Sequence, residues 1–466
     1  METPIPSGYR EMIQSVFGTD SESLLSSLDT APGVSIRYNN RKCSAEEVDG
    51  IYPDMRVVEW CREGRRLNER PVFTLNPLLH AGVFYVQDAS SMIYSEIVEL
   101  LVSRLHAGEQ GMTGRPLRVL DFCAAPGGKT TSMINALPDG TEVVANEYEP
   151  RRGKILRENL EKWGYPNIIV TGDAAESYRC LAGVFDIVAV DAPCSGEGMM
   201  RKEETARRQW SERLVESCAA LQREILESIA GCVRPGGYLI YSTCTFNTVE
   251  NEENSRYIRD MLGFEPVSLR PDGTECAGKA LYDDVEAMRF MPYLTEGEGL
   301  YVSVFRRPES DVVERVSAGK SKRAKTKGRE SKLPEIEWII RDAVPVEGEG
   351  VISAVPRSMM PLLELVKGSG VNVTAAGLPV ATLKDKNVLP DSRVVLSSLV
   401  NPTAFPVVEL SEDEALRYLR REALVLPEGT PRGYVTVCRQ GHPLGLVKNI
   451  GNRANNLYPA HWKIRM

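Results

Sequence analysis

Up to about residue 310 the chain alternates short apolar runs with longer stretches of helical periodicity. The runs are Leu117–Phe122, Glu142–Asn146, Ile168–Thr171, Phe185–Val190 and Tyr238–Ser242. Each is short and rich in Val, Ile and Leu, as strands covered on both faces are. Pro150–Trp163 and Ser211–Val233 lie between them and carry apolar positions at helical spacing. Strand–helix alternation of this kind predicts a parallel sheet with helices on both faces. Arg289–Tyr293 and Leu300–Phe305, separated by a Gly- and Glu-containing turn, predict a closing hairpin. Upstream, Ser90–Leu105 predicts a helix with Ile93, Ile97, Leu100, Leu101 and Leu105 on the face toward the sheet.

The rest of the chain divides around this α/β block. Residues 1–85 read as a separate, small α+β unit and residues 86–308 as the α/β domain. Residues 309–334 read as a linker: between Gly319 and Lys332 stand Lys320, Lys322, Arg323, Lys325, Lys327, Arg329 and Lys332 against the single acid Glu330. A run so polar and so charged, with no apolar periodicity, is expected to be a flexible basic tether. Residues 335–466 mix short apolar runs with Gly and Pro and predict one or two β-rich modules. No internal repeat is visible.

Composition narrows the class of protein. A chain of 466 residues is too long for one hydrophobic core. No run approaches the roughly 20 apolar residues of a membrane helix, and the N-terminus lacks the basic start and apolar core of a secretory signal. A cytoplasmic protein is expected. The 10 cysteines include no Cys-x-x-Cys pair, and the 4 histidines are far apart, so free thiols and no metal site are expected. The net charge of −8 argues against a protein that coats nucleic acid, but leaves room for local basic surfaces.

Candidate chemistry gathers at strand ends. Val119-Leu-Asp-Phe-Cys-Ala-Ala-Pro-Gly-Gly-Lys129 runs from a strand into a small-residue turn and a helix. Ala124, Ala125, Gly127 and Gly128 let a ligand approach the backbone closely. The spacing is neither that of a dinucleotide fingerprint nor that of a phosphate-binding loop. Glu147, Asp173 and Asp191 follow the next three strands, at the edge where open α/β sheets bind ligands. Three acids there suit a nucleoside held at its ribose and its base, without saying which nucleoside.

Two cysteines share that edge. Cys194 lies in Asp191-Ala-Pro-Cys194-Ser-Gly after the fourth strand, and Cys244 in Ser242-Thr-Cys244-Thr-Phe after the fifth. Paired thiols beside a nucleoside site suit covalent chemistry on an unreactive ring. Addition of a thiolate to C6 of cytosine makes C5 nucleophilic toward an electrophilic methyl, an acid such as Asp191 stabilises charge near N3, and a second thiol has a role in release. Spacing does not say which thiol attacks.

Cys123-Ala-Ala-Pro126-Gly-Gly-Lys129, Asp191-Ala-Pro-Cys194-Ser-Gly and Ser242-Thr-Cys244-Thr-Phe, followed by Glu250-Asn251-Glu252, resemble the Sun (Fmu) family of RNA cytosine-C5 methyltransferases. The resemblance extends to Asn76-Pro-Leu-Leu-His80, Gln87-Asp-Ala-Ser-Ser-Met92 and Arg289-Phe-Met-Pro292. It implies a Rossmann-like α/β fold that uses S-adenosyl-L-methionine, held by Cys123 to Lys129 with Glu147, Asp173 and Asp191. It implies further that Cys244 is the nucleophile and Cys194 assists breakdown of the adduct, with Lys129 placed either on the cofactor or on the target nucleotide.

Gly8-Tyr-Arg-Glu-Met12, Ser35-Ile-Arg-Tyr-Asn39, Gly441-His-Pro-Leu-Gly445, Lys448-Asn-Ile-Gly-Asn-Arg453 and Asn456-Leu-Tyr-Pro459 resemble the RsmF-type subgroup, with its small N-terminal unit and PUA-like C-terminal region. That implies RNA as partner, 16S rRNA or the small ribosomal subunit, a monomeric enzyme, and RNA contacts through the linker and Lys448, Arg453, His461 and Lys463. The alternatives are a tRNA cytosine-C5 methyltransferase and a non-catalytic ribosome-assembly factor. A small-molecule or protein methyltransferase fits the turn and the acids, but leaves the paired thiols without a purpose.

Overall fold

In the computed structural model, residues 3–107, 115–310, 336–340, 342–348, 350–384 and 387–465 are described. Nearly all of the expected linker, including the basic run from Lys320 to Lys332, lies outside the described residues.

Five parallel strands form the centre of the molecule: β1 (Arg118–Asp121), β2 (Glu142–Asn146), β3 (Ile168–Thr171), β4 (Phe185–Asp191) and β5 (Val233–Thr243). Short antiparallel strands β6 (Gly278–Lys279), β7 (Met288–Phe290) and β8 (Leu300–Arg306) continue it past β5, and β9 (Val373–Ala376) pairs with the outer edge of β3. The spatial order is β6-β7-β8-β5-β4-β1-β2-β3-β9. The connections therefore run one way from β1 to β2 and β3 and the other way to β4 and β5. That reversal opens a crevice at the C-terminal ends of β1 and β4.

Both faces of the strands are buried because successive side chains point to opposite sides. Val119, Val143, Ile168 and Ile187 pack under helices Ile93–Ala107, Gly128–Ala136 and Pro150–Trp163. Leu120, Val144, Ile169 and Val188 face helices Glu212–Ile229, Glu252–Asp260 and Met360–Gly368. The helix after β2 starts where Glu149 caps Arg151 N and Arg152 N with Pro150 at its first position, and stops at Gly164, which has φ 82°. In Ile93–Ala107 the buried stripe is Ile93, Ile97, Val98, Leu101, Val102 and Leu105, while Leu100 is 36% exposed. Leu100 was expected to face the sheet. At 100° per residue it falls on the solvent side of the stripe that Val98 and Val102 complete.

The N-terminal unit has helices Ser7–Phe17 and Ser21–Ser27 and an antiparallel sheet ordered Arg56–Val58, Cys61–Leu67, Val34–Tyr38, Phe84–Val86. Its apolar groups are divided between two neighbours. Tyr9, Ile13 and Leu24 pack with Trp210, Val215, Phe246 and Met291 of the α/β domain. Ile36, Phe73 and Phe84 share a core with Tyr418, Leu419, Tyr458 and Trp462 near the C-terminus.

Past residue 335 stand two four-stranded sheets. One contains Ala343–Gly348, Val351–Pro356, Leu378–Lys384 and Asn387–Pro390, and the other Val407–Glu409, Gly433–Arg439, His442–Asn449 and Ala454–Asn456. The first lends β9 to the central sheet. Its helix Met360–Gly368 buries Leu362, Leu363 and Val366 in the same core as Ile169 and Tyr178. No helix among the described residues is long and apolar enough to cross a membrane.

Candidate active site

The crevice at the ends of β1 and β4 is floored by the turn from Cys123 to Lys129. Ala124 N donates to Asn146 O at 2.9 Å, Arg152 to Ala125 O at 2.7 Å and Asn159 to Pro126 O at 2.8 Å, so neighbouring elements fix the turn. The Ala125–Pro126 peptide is cis. Gly127 has φ 108°, a conformation that side chains rarely adopt, and from it the helix Gly128–Ala136 begins. Thr130 Oγ1 donates to Asp121 Oδ2 at 2.6 Å, and burial pushes the Asp121 carboxyl up to about 7.

A residue with no role in the sequence reading supports this helix from the N-terminal unit. Arg37, fully buried, donates to Gln87 Oε1 at 2.7 Å, to Thr131 Oγ1 at 2.6 Å and to Thr131 O at 3.2 Å. Its guanidinium stacks over Trp163 at 4.8 Å. The signal was an arginine within a short strand, Val34–Tyr38, with a glutamine later in the chain.

The three acids take different surroundings. Glu147 is buried: Oε1 accepts from Glu149 N at 2.9 Å, whereas Oε2 has no hydrogen-bond donor, Arg152 standing 3.4 Å away outside hydrogen-bond geometry. Asp173 accepts from Ala174 N at 3.0 Å and from Asn372 N at 3.1 Å. Asp191 pairs with Lys129 Nζ at 2.7 Å and accepts from Ser242 Oγ at 2.7 Å, which in turn lies 2.8 Å from Tyr94 OH. Burial opposes the charge of Lys129, but Asp191 more than offsets it and raises the ammonium above its ordinary value. The Lys129 ammonium is thus held charged at the crevice.

Beside this pair the two cysteines meet. Cys194 Sγ and Cys244 Sγ are 3.1 Å apart, both half-buried. The hydrogen bond with Cys244, then burial, raises the Cys194 thiol well above its ordinary value. Cys123, in the floor of the crevice, is raised well above its ordinary value by burial and then by Asp191.

The loops that carry the thiols are tied by buried carboxylates. Glu250 accepts from Ser195 N at 3.0 Å, Gln222 Nε2 at 2.7 Å and Asn247 Nδ2 at 2.8 Å. Glu197 accepts from Phe246 N at 2.7 Å, Asn247 N at 3.0 Å and Trp210 Nε1 at 3.0 Å, while Gly198 N donates to Cys244 O at 2.8 Å. Glu252 forms a fully buried two-point ion pair with Arg289, whose Nη1 donates to Phe246 O at 2.8 Å. Glu250, Asn251 and Glu252 appear in the sequence only as part of a motif. Here Glu250 ties the Cys194 loop to the Cys244 loop, Asn251 braces Thr243 and Thr245 on either side of Cys244, and Glu252 anchors the segment to Arg289 of β7; with buried partners satisfied such networks hold a geometry rigidly.

A roomy cleft lies elsewhere. It encloses about 1060 Å³ among Arg41, Lys42, Asp139, Asn167, Leu396 and His442, at the N-terminal ends of β2 and β3 and so opposite the thiols.

Residues 115–306 match the family of 16S rRNA methyltransferases RsmB/F, residues 5–89 the N-terminal domain of 16S rRNA methyltransferase RsmF, and residues 405–464 the methyltransferase RsmF PUA domain. The chain is 31% identical to the ribosomal RNA small subunit methyltransferase F of Vibrio vulnificus (strain YJ016), over 91% of this chain and 90% of that one. It is 32% identical to the protein of the same name from Cronobacter sakazakii, over 91% of this chain and 89% of that one. Among solved structures, the methyltransferase homolog protein from Pyrococcus horikoshii superposes with a TM-score of 0.54 at 23% identity, covering 65% of this chain and 95% of that one. NSun6 from the same organism gives 0.52 at 18% identity, covering 66% and 99%. These two likenesses concern the fold. With three family models in chain order and relatives matched along nine-tenths of their length, the chain belongs to the RsmB/F family of 16S rRNA methyltransferases, in its RsmF-type arrangement with an N-terminal domain and a C-terminal PUA domain.

Proposed function

We propose that this enzyme transfers the methyl group of S-adenosyl-L-methionine to C5 of a cytosine in 16S rRNA, through a covalent bond between Cys244 Sγ and C6. The observation that carries the reading is the 3.1 Å approach of Cys194 and Cys244 beside the Asp191–Lys129 ion pair.

The crevice suits the cofactor. The buried Oε2 of Glu147, ion-paired with Arg152 but without a hydrogen-bond donor, is an acceptor that a ribose hydroxyl satisfies. Gly127 keeps the floor open where a side chain would be strained. Bound there, S-adenosyl-L-methionine supplies an electrophilic methyl group.

The protein's own part follows from the thiol pair. Cys244 loses its proton to solvent, and the protonated Cys194 stabilises the thiolate by donating to it. Cys244 Sγ then adds to C6, while Asp191 and Lys129 face the ring atoms on which charge develops. Once Cys244 is alkylated, Cys194 no longer faces a thiolate, so its own ionisation becomes easier. It releases its proton to solvent and, once C5 has received the methyl group, takes the C5 proton, so that the electron pair of that C–H bond restores the C5–C6 double bond and expels Cys244 as thiolate. The target base has to leave its stack to reach this crevice, so single-stranded or loop cytosine is the expected substrate. Lys448, Arg453, His461 and Lys463 are all exposed on the C-terminal module, Lys448 over the Tyr434 ring at 5.4 Å, and give RNA a basic, aromatic surface.

The test uses wild type, Cys244→Ala and Cys194→Ala with small subunits, free 16S rRNA or tRNA and labelled S-adenosyl-L-methionine. Expected are 5-methylcytosine from wild type, neither product nor adduct from Cys244→Ala, and a denaturant-stable protein–RNA adduct that accumulates with Cys194→Ala. Product from Cys244→Ala would overturn the covalent route, and methylation of tRNA alone would overturn the substrate.

A further inference from the structure

Asp173 lies in the turn just after β3, yet its carboxylate is held from far along the chain. Oδ1 accepts from Ala174 N within its own turn, and Oδ2 accepts from Asn372 N, 199 residues later. Asn372 grips the same turn twice more: its Nδ2 donates to Gly172 O at 3.2 Å and its carbonyl accepts from Gly172 N at 3.0 Å. Thr374 Oγ1 then donates to Val170 O at 3.1 Å, and β9 continues along β3. The strand is firmly seated, because Val371 just before it and Ala376 at its end are buried in the core formed by Leu362, Leu363 and Val366 with Ile169 and Tyr178. The module beyond the linker therefore sets where the Asp173 carboxylate points.

We propose that Asn372 is a positioning residue for the cofactor site: by fixing Asp173 it confers selectivity for adenine over other purine bases. The inference rests on the reading above, in which adenosine is held at ribose and base by Glu147 and Asp173. A carboxylate with one donor on each oxygen keeps lone pairs for another, and the 6-amino group of adenine is such a donor. The 6-oxo group of hypoxanthine is an acceptor and meets the carboxylate with repulsion, which is how a hydrogen-bonding site rejects an analogue. A freely turning carboxylate discriminates less.

The experiment compares dissociation constants of S-adenosylhomocysteine and S-inosylhomocysteine for the full chain by calorimetry. The variants are Asp173→Ala, Asn372→Pro, which deletes the N–H donor, and Asn372→Asp, which deletes the Nδ2 donor and sets a like charge beside Asp173. Thermal melts confirm folding, and Asn372 is exposed, so Asn372→Asp keeps the fold even where proline disturbs it. Wild type is expected to prefer the adenosyl compound at least about tenfold. Asp173→Ala brings the ratio close to one, and the Asn372 variants reduce it by about threefold or more. A folded Asn372→Asp with the wild-type ratio, beside an Asp173→Ala that has lost it, overturns the positioning role and leaves the adenine reading intact. Retention of the preference by Asp173→Ala overturns that reading, and the role with it.

Discussion

Glu147 shows what a single atom reveals that a motif does not. As one of three acids after strands it was legible in the sequence, but only the structure separates its two oxygens, one satisfied by Glu149 N and the other buried without a donor. On the proposed reading the second oxygen accepts from the cofactor ribose. Glu147→Gln places an amide there and removes that acceptor, along with a buried charge. Cofactor affinity is expected to fall about tenfold, with the melting midpoint unchanged or raised; calorimetry and a thermal melt on the same sample decide it, and unchanged affinity would remove Glu147 from the site. Cys194, Cys244, Asp191 and Lys129 were equally legible, because the end of a parallel strand is a predictable place. Glu197, Gln222 and Arg37 were not. Their partners are backbone groups and side chains tens of residues away, and a satisfied buried network leaves no spacing behind. Asn372 is the extreme case, 199 residues from the acid it holds.

At the scale of elements, apolar runs located β1 to β4 to within a residue or so, since strands covered on both faces have few polar positions to confuse the pattern. β5 begins at Val233, five residues before its apolar run, through Arg234-Pro-Gly-Gly, which reads as a turn. Pairing with β4 shifts register between Phe185 and Ile187, and Gly236 at φ 73° absorbs the irregularity. β9 was illegible for another reason: it is an edge strand of four residues with a register shift of its own, and its membership is decided by what it docks against. Glycines at element ends separate conformation from contact. Gly140 and Gly164 both have φ 82°, but a Cβ at Gly140 meets nothing, whereas one at Gly164 would lie 2.1 Å from Leu396 O. Gly140→Ala is expected to cost about 1 kcal/mol. Gly164→Ala should cost clearly more, because the backbone of the C-terminal module has to move. Urea titrations of the two variants check the order, and equal midpoints would mean the contact yields freely.

For the whole molecule, composition marked one linker but could not show that the modules on either side share cores. The N-terminal sheet and the C-terminal module meet at His80. Nε2 donates to Thr74 O at 2.9 Å, and Nδ1 faces Tyr458 OH at 3.4 Å. Burial, helped by nearby Lys162, lowers the imidazole from 6.5 to about 4. The folded protein thus holds His80 neutral, while the unfolded chain takes up a proton below pH 6.5. The stability this group contributes is present above pH 6.5 and is lost as pH falls toward 4, by about 3 kcal/mol in all. Acid titration of the melting midpoint should show a drop in that window that is smaller in His80→Asn. Identical profiles would assign the acid lability to other groups.

β9 also has a history in time. On the ribosome, β3 emerges some 200 residues before the strand that covers its outer edge. For that interval the young domain carries an open row of amide and carbonyl groups, the template on which sheets join edge to edge between molecules. An enzyme of ribosomal RNA thereby depends on its own complete translation: a chain stopped after β8 holds both thiols and every expected cofactor residue, and still lacks the strand that closes its sheet.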